Sequence, residues 1–227
     1  MAVITISREV GSGGDQIARR LCDLLGYRYF DKTVMAQVAR EQALADTEVV
    51  DFSEDTYQGR GFIDALLRRS ARIATATTIG TTPHGKPITV VQEVDEEMAA
   101  SFVRTAIRAL GARGQIVVVG RGGQAVLRDA AGVLHLRIIA RLEDRVHEVM
   151  QAEGLTREAA LTLIRERDRA TAEYLRRFSG IDWADPSLYH LTLNTSLVGR
   201  EAAAAWIAAM VQQMDDERSL GLQAAAA

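Results

Sequence analysis

Lysine is nearly missing from this chain. Of its 27 basic residues only Lys32 and Lys86 are lysines, so any phosphate clamp must be built mainly from arginine or backbone amides. Cysteine is equally scarce. The single Cys22 cannot close an internal disulfide, and a lone thiol on a helical pattern points to a reducing compartment, the cytoplasm. The four histidines, His84, His135, His147 and His190, are scattered without paired spacing for zinc, and no Ser/His/Asp order is readable. The opening MAVITISREV has no basic leader and only a short apolar run, so neither a signal peptide nor a membrane span is expected there. A formal net charge of −3 offers no basic field for nucleic acid.

What is present suits a core-forming α/β chain. With 227 residues and 48% hydrophobic content it has the length for one domain, or one domain with an insertion. Apolar runs at residues 3–7, 27–30, 115–120, 134–140 and 189–194 read as buried parallel strands. Helical periodicity fills the intervals at 15–25, 32–42, 96–112, 143–151 and 200–214. Strands alternating with helices predict a parallel five-stranded sheet with helices on both faces, and ligands beyond the carboxyl ends of its strands. Two stretches break the alternation. Residues 44–95 read as a helical insertion, with acids, the helical patch FIDALLRRSARI and the Thr/Gly/Pro run TATTIGTTPHGKP. Residues 155–187 form an arginine-rich excursion where a closing lid would lie. The expectation is one domain over 1–220, its core at 1–43 and 114–215, with 221–227 a frayed tail.

The stretch ITISREVGSGGDQIARRL, residues 4–21, runs from a strand through a glycine cluster into a helix. That order turns successive N–H groups and the positive end of a helix dipole toward one point, which suits phosphate. Gly11, Ser12, Gly13, Gly14, Asp15 and Gln16 are the candidate cradle. A Walker loop would carry lysine and then a hydroxyl residue where Gly14 and Asp15 stand. A strand–helix joint can also use glycine for close packing alone. Arg8, at the mouth of the loop, is the candidate for the missing positive charge. Asp15 could recruit Mg²⁺ through water or repel phosphates instead. In VVVGRGGQAVL, Arg121 sits among glycines at a strand's carboxyl end and can fork onto a phosphate, or be a salt-bridged turn residue. In LIRERDRATAEYLRRF, Arg167 and Arg169 are candidates for lid arginines that stabilise transferring charge, although charge runs are often solvated faces. Asp31 in YFDK can meet a substrate hydroxyl or metal water, or cap the next helix.

Four blocks, ITISREVGSGGDQIARRLCDLLGYRYFDK, VVVGRGGQAVL, RDRATAEYLRRF and DWADPSLYHLTLNTS, together resemble the cytidylate kinase-like family, a branch of the P-loop nucleoside monophosphate kinases. The resemblance covers about residues 2–43 and 114–215. It implies ATP and Mg²⁺ as donor and cofactor and a nucleoside monophosphate, CMP or dCMP, as acceptor. Residues 11–16 would cradle the donor, Asp31 and Arg121 would hold the acceptor, and Arg167 and Arg169 would belong to the lid. A loop without the Walker lysine is a trait of that branch. Three departures stand out: Gly122 replaces the aspartate of a GRD motif, Gln37 stands where a basic residue is usual, and Thr171 where another lid arginine would be. Two rivals remain: a kinase for another small-molecule acceptor, and a nucleotide-binding sensor without transfer.

Overall fold

The computed structural model describes residues 2–31, 75–81, 87–92 and 96–226. The five expected strands are β1 (Val3–Arg8), β2 (Arg28–Phe30), β5 (Ile116–Val119), β6 (Val133–Ile139) and β7 (Leu191–Asn194). They form one parallel sheet in the order β2-β5-β1-β6-β7. The central strand β1 pairs with β5 and β6 in parallel, Val3 lying opposite both Ile116 and Val133. Both faces of the central strands β5, β1 and β6 are covered, which is why they read as continuous apolar runs rather than alternating ones.

Alternation reappears in what each face meets. Ile4 and Ile6, Val117 and Val119, and Leu134, Leu136 and Ile138 join a core with Ile17 and Leu21 of α1 (Gly14–Leu25) and Ile207 and Val211 of the last helix. Val3, Ile116, Val118 and Val133 face the other way, with Val103 and Ile107 of α2 (Glu96–Arg113). Helix α1 starts at Gly13 and stops at Gly26, both left-handed, the Gly26 N–H closing onto the Cys22 carbonyl. The short α3 (Gly123–Val126) follows β5, and α4 (Leu142–Glu153) follows β6. Helix α5 (Arg157–Ser179) is capped by the Thr156 hydroxyl, which accepts from the Ala159 N–H at 3.3 Å. It ends at left-handed Gly180.

The structure adds two details. Within the insertion the Thr/Gly/Pro run and the residues after it form a hairpin: β3 (Thr75–Thr81) and β4 (Pro87–Gln92) pair antiparallel, with a bulge between Thr78 and Gly80. Threonine, isoleucine and valine fit a pleated surface better than a helix, and this outweighs the turn-like Gly and Pro. The expected helices at 32–42 and in FIDALLRRSARI lie outside the described residues. The tail also differs, since α6 (Arg200–Ala226) continues through 221–226. Alanine, the strongest helix former, lets that helix propagate where fraying is expected.

Candidate active site

A cavity of about 380 Å³ opens beyond the carboxyl ends of β1, β2 and β5, walled on the far side by α4 and α5. Its floor is the glycine loop. Gly11 and Gly13 have φ of 78° and 82°, a backbone that favours glycine. At Gly11 close approach adds a second demand, because a Cβ there would meet the Arg145 carbonyl oxygen at 2.7 Å. The loop thereby delivers the first N–H groups of α1 to the cavity, those that have no partner within a helix.

Most of the residues singled out in the sequence converge on this cavity. Arg8, Gly11, Gly13, Gly14, Asp15 and Gln16 line it from the loop, Asp31 from the end of β2, Arg121 from the end of β5 and Arg167 from α5. Arg121 is 3% exposed and held at φ 59°, so its turn places a buried guanidinium at the cavity wall. Ser12 lies below the surface: its N–H donates to the Glu9 carbonyl at 3.1 Å, and its own carbonyl accepts from the Thr195 hydroxyl at 2.7 Å. Its buried hydroxyl finds no hydrogen-bond partner among the described residues.

Arg169 stands apart from the cavity. Its side chain is 79% exposed and paired with Glu173 at 2.7 Å, one turn along the same helix. The buried residues Ala160, Ile164, Thr171 and Leu175 form one stripe of α5, and Arg167 falls in phase with it. Two residues farther on, Arg169 is rotated about 200° away.

Other groups at the site were not anticipated. Arg145 lies on the buried face of α4, its side chain 7% exposed. Its Nε donates to the Val10 carbonyl at 2.7 Å, Nη1 donates to Glu9 Oε2 at 3.2 Å, and Nη2 pairs with Asp168. Asp168 in turn accepts from the Val10 N–H at 3.0 Å. One arginine and two carboxylates therefore fasten the start of the loop to α4 and α5. The signal for this was an arginine beside Val146 and Val149 on an apolar stripe. Across the cavity mouth Glu148 takes Gln16 Nε2 at 3.0 Å and Arg200 Nη2 at 2.5 Å. Tyr29 lines the wall beside Asp31, and burial, then the charges of Asp15 and Asp31, push its phenol up to about 12. It is a proton donor throughout the physiological range.

A buried polar layer underlies the cavity on the α2 side of the sheet. The Trp183 indole N–H donates to Ser7 Oγ at 2.6 Å, the Tyr189 hydroxyl donates to the Trp183 carbonyl at 3.0 Å, and Arg137 donates to that same carbonyl. Arg137 also lies 4.9 Å from the Trp183 ring centroid. Beside it His135 contacts Thr5 Oγ1 at 2.7 Å through Nδ1, and burial lowers its pKa to about 4.

A sequence profile of the cytidylate kinase-like family matches residues 3–197. The cytidylate kinase of Aeropyrum pernix is 26% identical over 197 residues, covering 86% of this chain and 91% of its own. That of Methanopyrus kandleri is 28% identical over 198 residues, covering 86% and 84%. Among solved structures, an uncharacterized protein from Eubacterium ventriosum aligns over 93% of this chain and 99% of its own, with a TM-score of 0.62 at 19% identity, a likeness of fold.

Proposed function

The chain belongs to the cytidylate kinase-like family, and on that premise we propose an ATP- and Mg²⁺-dependent phosphotransferase whose acceptor is a nucleoside monophosphate, with CMP and dCMP first among candidates. The observation that carries this reading is the convergence of a glycine loop at the start of a helix, a buried arginine from β5 and an arginine from α5 on one cavity. Phosphoryl transfer asks for positioning and charge neutralisation more than for covalent chemistry by the protein.

The residues present fit the nucleotide. The loop amides and the start of α1 hold donor phosphates, with Arg8 on the same side. Mg²⁺ supplies charge neutralisation on the donor phosphates. Asp15, at the place of the Walker hydroxyl, is the side chain at hand for it. Among the described residues no three His, Cys, Asp or Glu side chains group to hold a metal. Arg121 binds the acceptor phosphate and Asp31 meets the acceptor's hydroxyl groups. An acceptor phosphate oxygen attacks the γ-phosphorus, the bond to the β–γ bridging oxygen breaks, and ADP leaves. Arg167 neutralises charge in that step, and α4 and α5 keep water out.

Gly122 favours a second reading, a kinase for another small acceptor. It is the left-handed N-cap of α3 at φ 67°, and a Cβ there would meet Leu175 Cδ2 at 3.1 Å. The family's aspartate is therefore disfavoured at this place, and its contact to the acceptor is missing. The test is ADP formation with ATP and Mg²⁺ against CMP, dCMP, UMP, AMP, GMP and a set of phosphorylatable metabolites, with Arg121→Ala as control. Turnover dependent on a pyrimidine monophosphate and abolished in the variant supports the first reading. Turnover with a metabolite alone supports the second, and ATP binding without any transfer refutes both.

A further inference from the structure

Gly14 differs from the other two loop glycines. Gly11 and Gly13 have positive φ, while Gly14 does not, so its backbone accepts any L-residue. Space is what excludes one. A Cβ on Gly14 would lie 2.5 Å from Arg8 Cβ and 2.9 Å from Arg8 Cγ, far inside contact distance, while the next neighbour, Ile138 Cβ, is an ordinary 3.5 Å away. The stem of Arg8 therefore fills the volume from which a side chain at the Walker lysine position would set out. Arg8 is the last residue of β1, with its side chain 19% exposed and lining the cavity. Its Nε lies 3.3 Å from Asp15 Oδ1, the residue at the Walker hydroxyl position.

We infer that Arg8 and Gly14 are a single exchange: the cation that contacts the β- and γ-phosphates of a nucleoside triphosphate comes from the end of β1, and position 14 is glycine because that side chain occupies its space. The inference rests on the proposed donor site. Arginine and lysine stems have similar reach, and the planar guanidinium can take two phosphate oxygens where an ammonium acts as a point charge. Asp15 holds the guanidinium over the start of α1 until triphosphate oxygens take its place.

The exchange predicts an epistasis that a merely structural arginine would not show. Arg8→Ala would leave a Cβ still 2.5 Å from a side chain at 14, so the clean partner of Gly14→Lys is Arg8→Gly. Binding of ATP and of AMP is measured by titration calorimetry on wild type, Arg8→Gly, Gly14→Lys and the double variant, alongside turnover and melting temperature. In wild type, ATP binds better than AMP. That preference falls about 100-fold in Arg8→Gly, on the scale of losing one charge-stabilising donor. Gly14→Lys alone is destabilised and gains nothing. The double variant regains the preference to within about tenfold of wild type, the tolerance set by exchanging an arginine fork for a lysine point charge. An unchanged ATP preference in folded Arg8→Gly overturns the inference, as does a stable Gly14→Lys with wild-type binding, or a folded double variant no better than Arg8→Gly. Because the readout is triphosphate binding, the inference survives if no acceptor is ever phosphorylated, and it falls by itself if transfer proceeds without Arg8.

Discussion

Arg145→Met is the substitution with the largest calculable consequence. The Arg145 side chain is 7% exposed, so solvent screens its interactions little. It satisfies the Val10 carbonyl at 2.7 Å, Glu9 at 3.2 Å and Asp168. Methionine keeps most of the volume but removes the cation from two carboxylates, each 20% exposed; Glu9 keeps Arg137 at 3.8 Å, and Asp168 keeps only the Val10 N–H among the contacts described. Removing one partner of a buried ion pair typically costs about 3–5 kcal/mol, because the remaining charge is left uncompensated. At about 2–4 °C per kcal/mol for a chain of this size, the melting temperature should fall by roughly 6–20 °C. Urea unfolding followed by circular dichroism reads the free energy, and calorimetry the melting point. Because Asp168 also takes the Val10 N–H, the loop start should loosen, and ATP affinity should fall with stability. A variant within about 1 kcal/mol of wild type would refute the account of this network.

Other outcomes follow from single sites. Gly11→Ala should cost more than about 3 kcal/mol and abolish ATP binding, since its Cβ meets backbone at 2.7 Å, whereas Gly26→Ala at φ 67° has nothing within 4 Å and should cost only about 1–2 kcal/mol; equal losses in urea unfolding would contradict this. Arg167→Ala should lower turnover by about 100-fold, while Arg169→Ala, which breaks only an exposed pair, should leave turnover within about twofold and stability within about 0.5 kcal/mol, and steady-state kinetics separates the two. His135 has a folded pKa lowered from 6.5 to about 4, so the unfolded chain takes up its proton first as pH falls. The stability it confers is therefore present above 6.5 and is lost progressively down to about 4, by up to about 3 kcal/mol. His135→Gln should flatten that part of a pH series of urea midpoints, and an unchanged slope would refute it.

The sheet was legible because its central strands are buried on both faces, and continuous runs such as VITIS and QIVVVG have few other uses in a chain of this composition. The glycine loop and Arg121 were legible because strand–glycine–helix order fixes where their backbone points. Arg167 and Arg169 could not be separated from arginine density alone. The phase of the stripe through Ile164, Thr171 and Leu175 decides which one faces inward, and that phase is set by packing against the rest of the chain. Arg145 escaped notice although it sits on the buried face of α4, since a charged residue there has a partner from a distant segment, the Glu9–Val10 loop. The hairpin of β3 and β4 was hidden by Gly and Pro, whose turn signals masked the β-branched residues around them.

The most direct test of the central claim is to incubate the protein with γ-labelled ATP, Mg²⁺ and CMP and to identify the labelled product by mass. The account expects CDP carrying the label, formed one-for-one with ADP and lost in Arg121→Ala. ATP bound by the loop, with no label transferred to CMP, dCMP or any other nucleoside monophosphate, would contradict it.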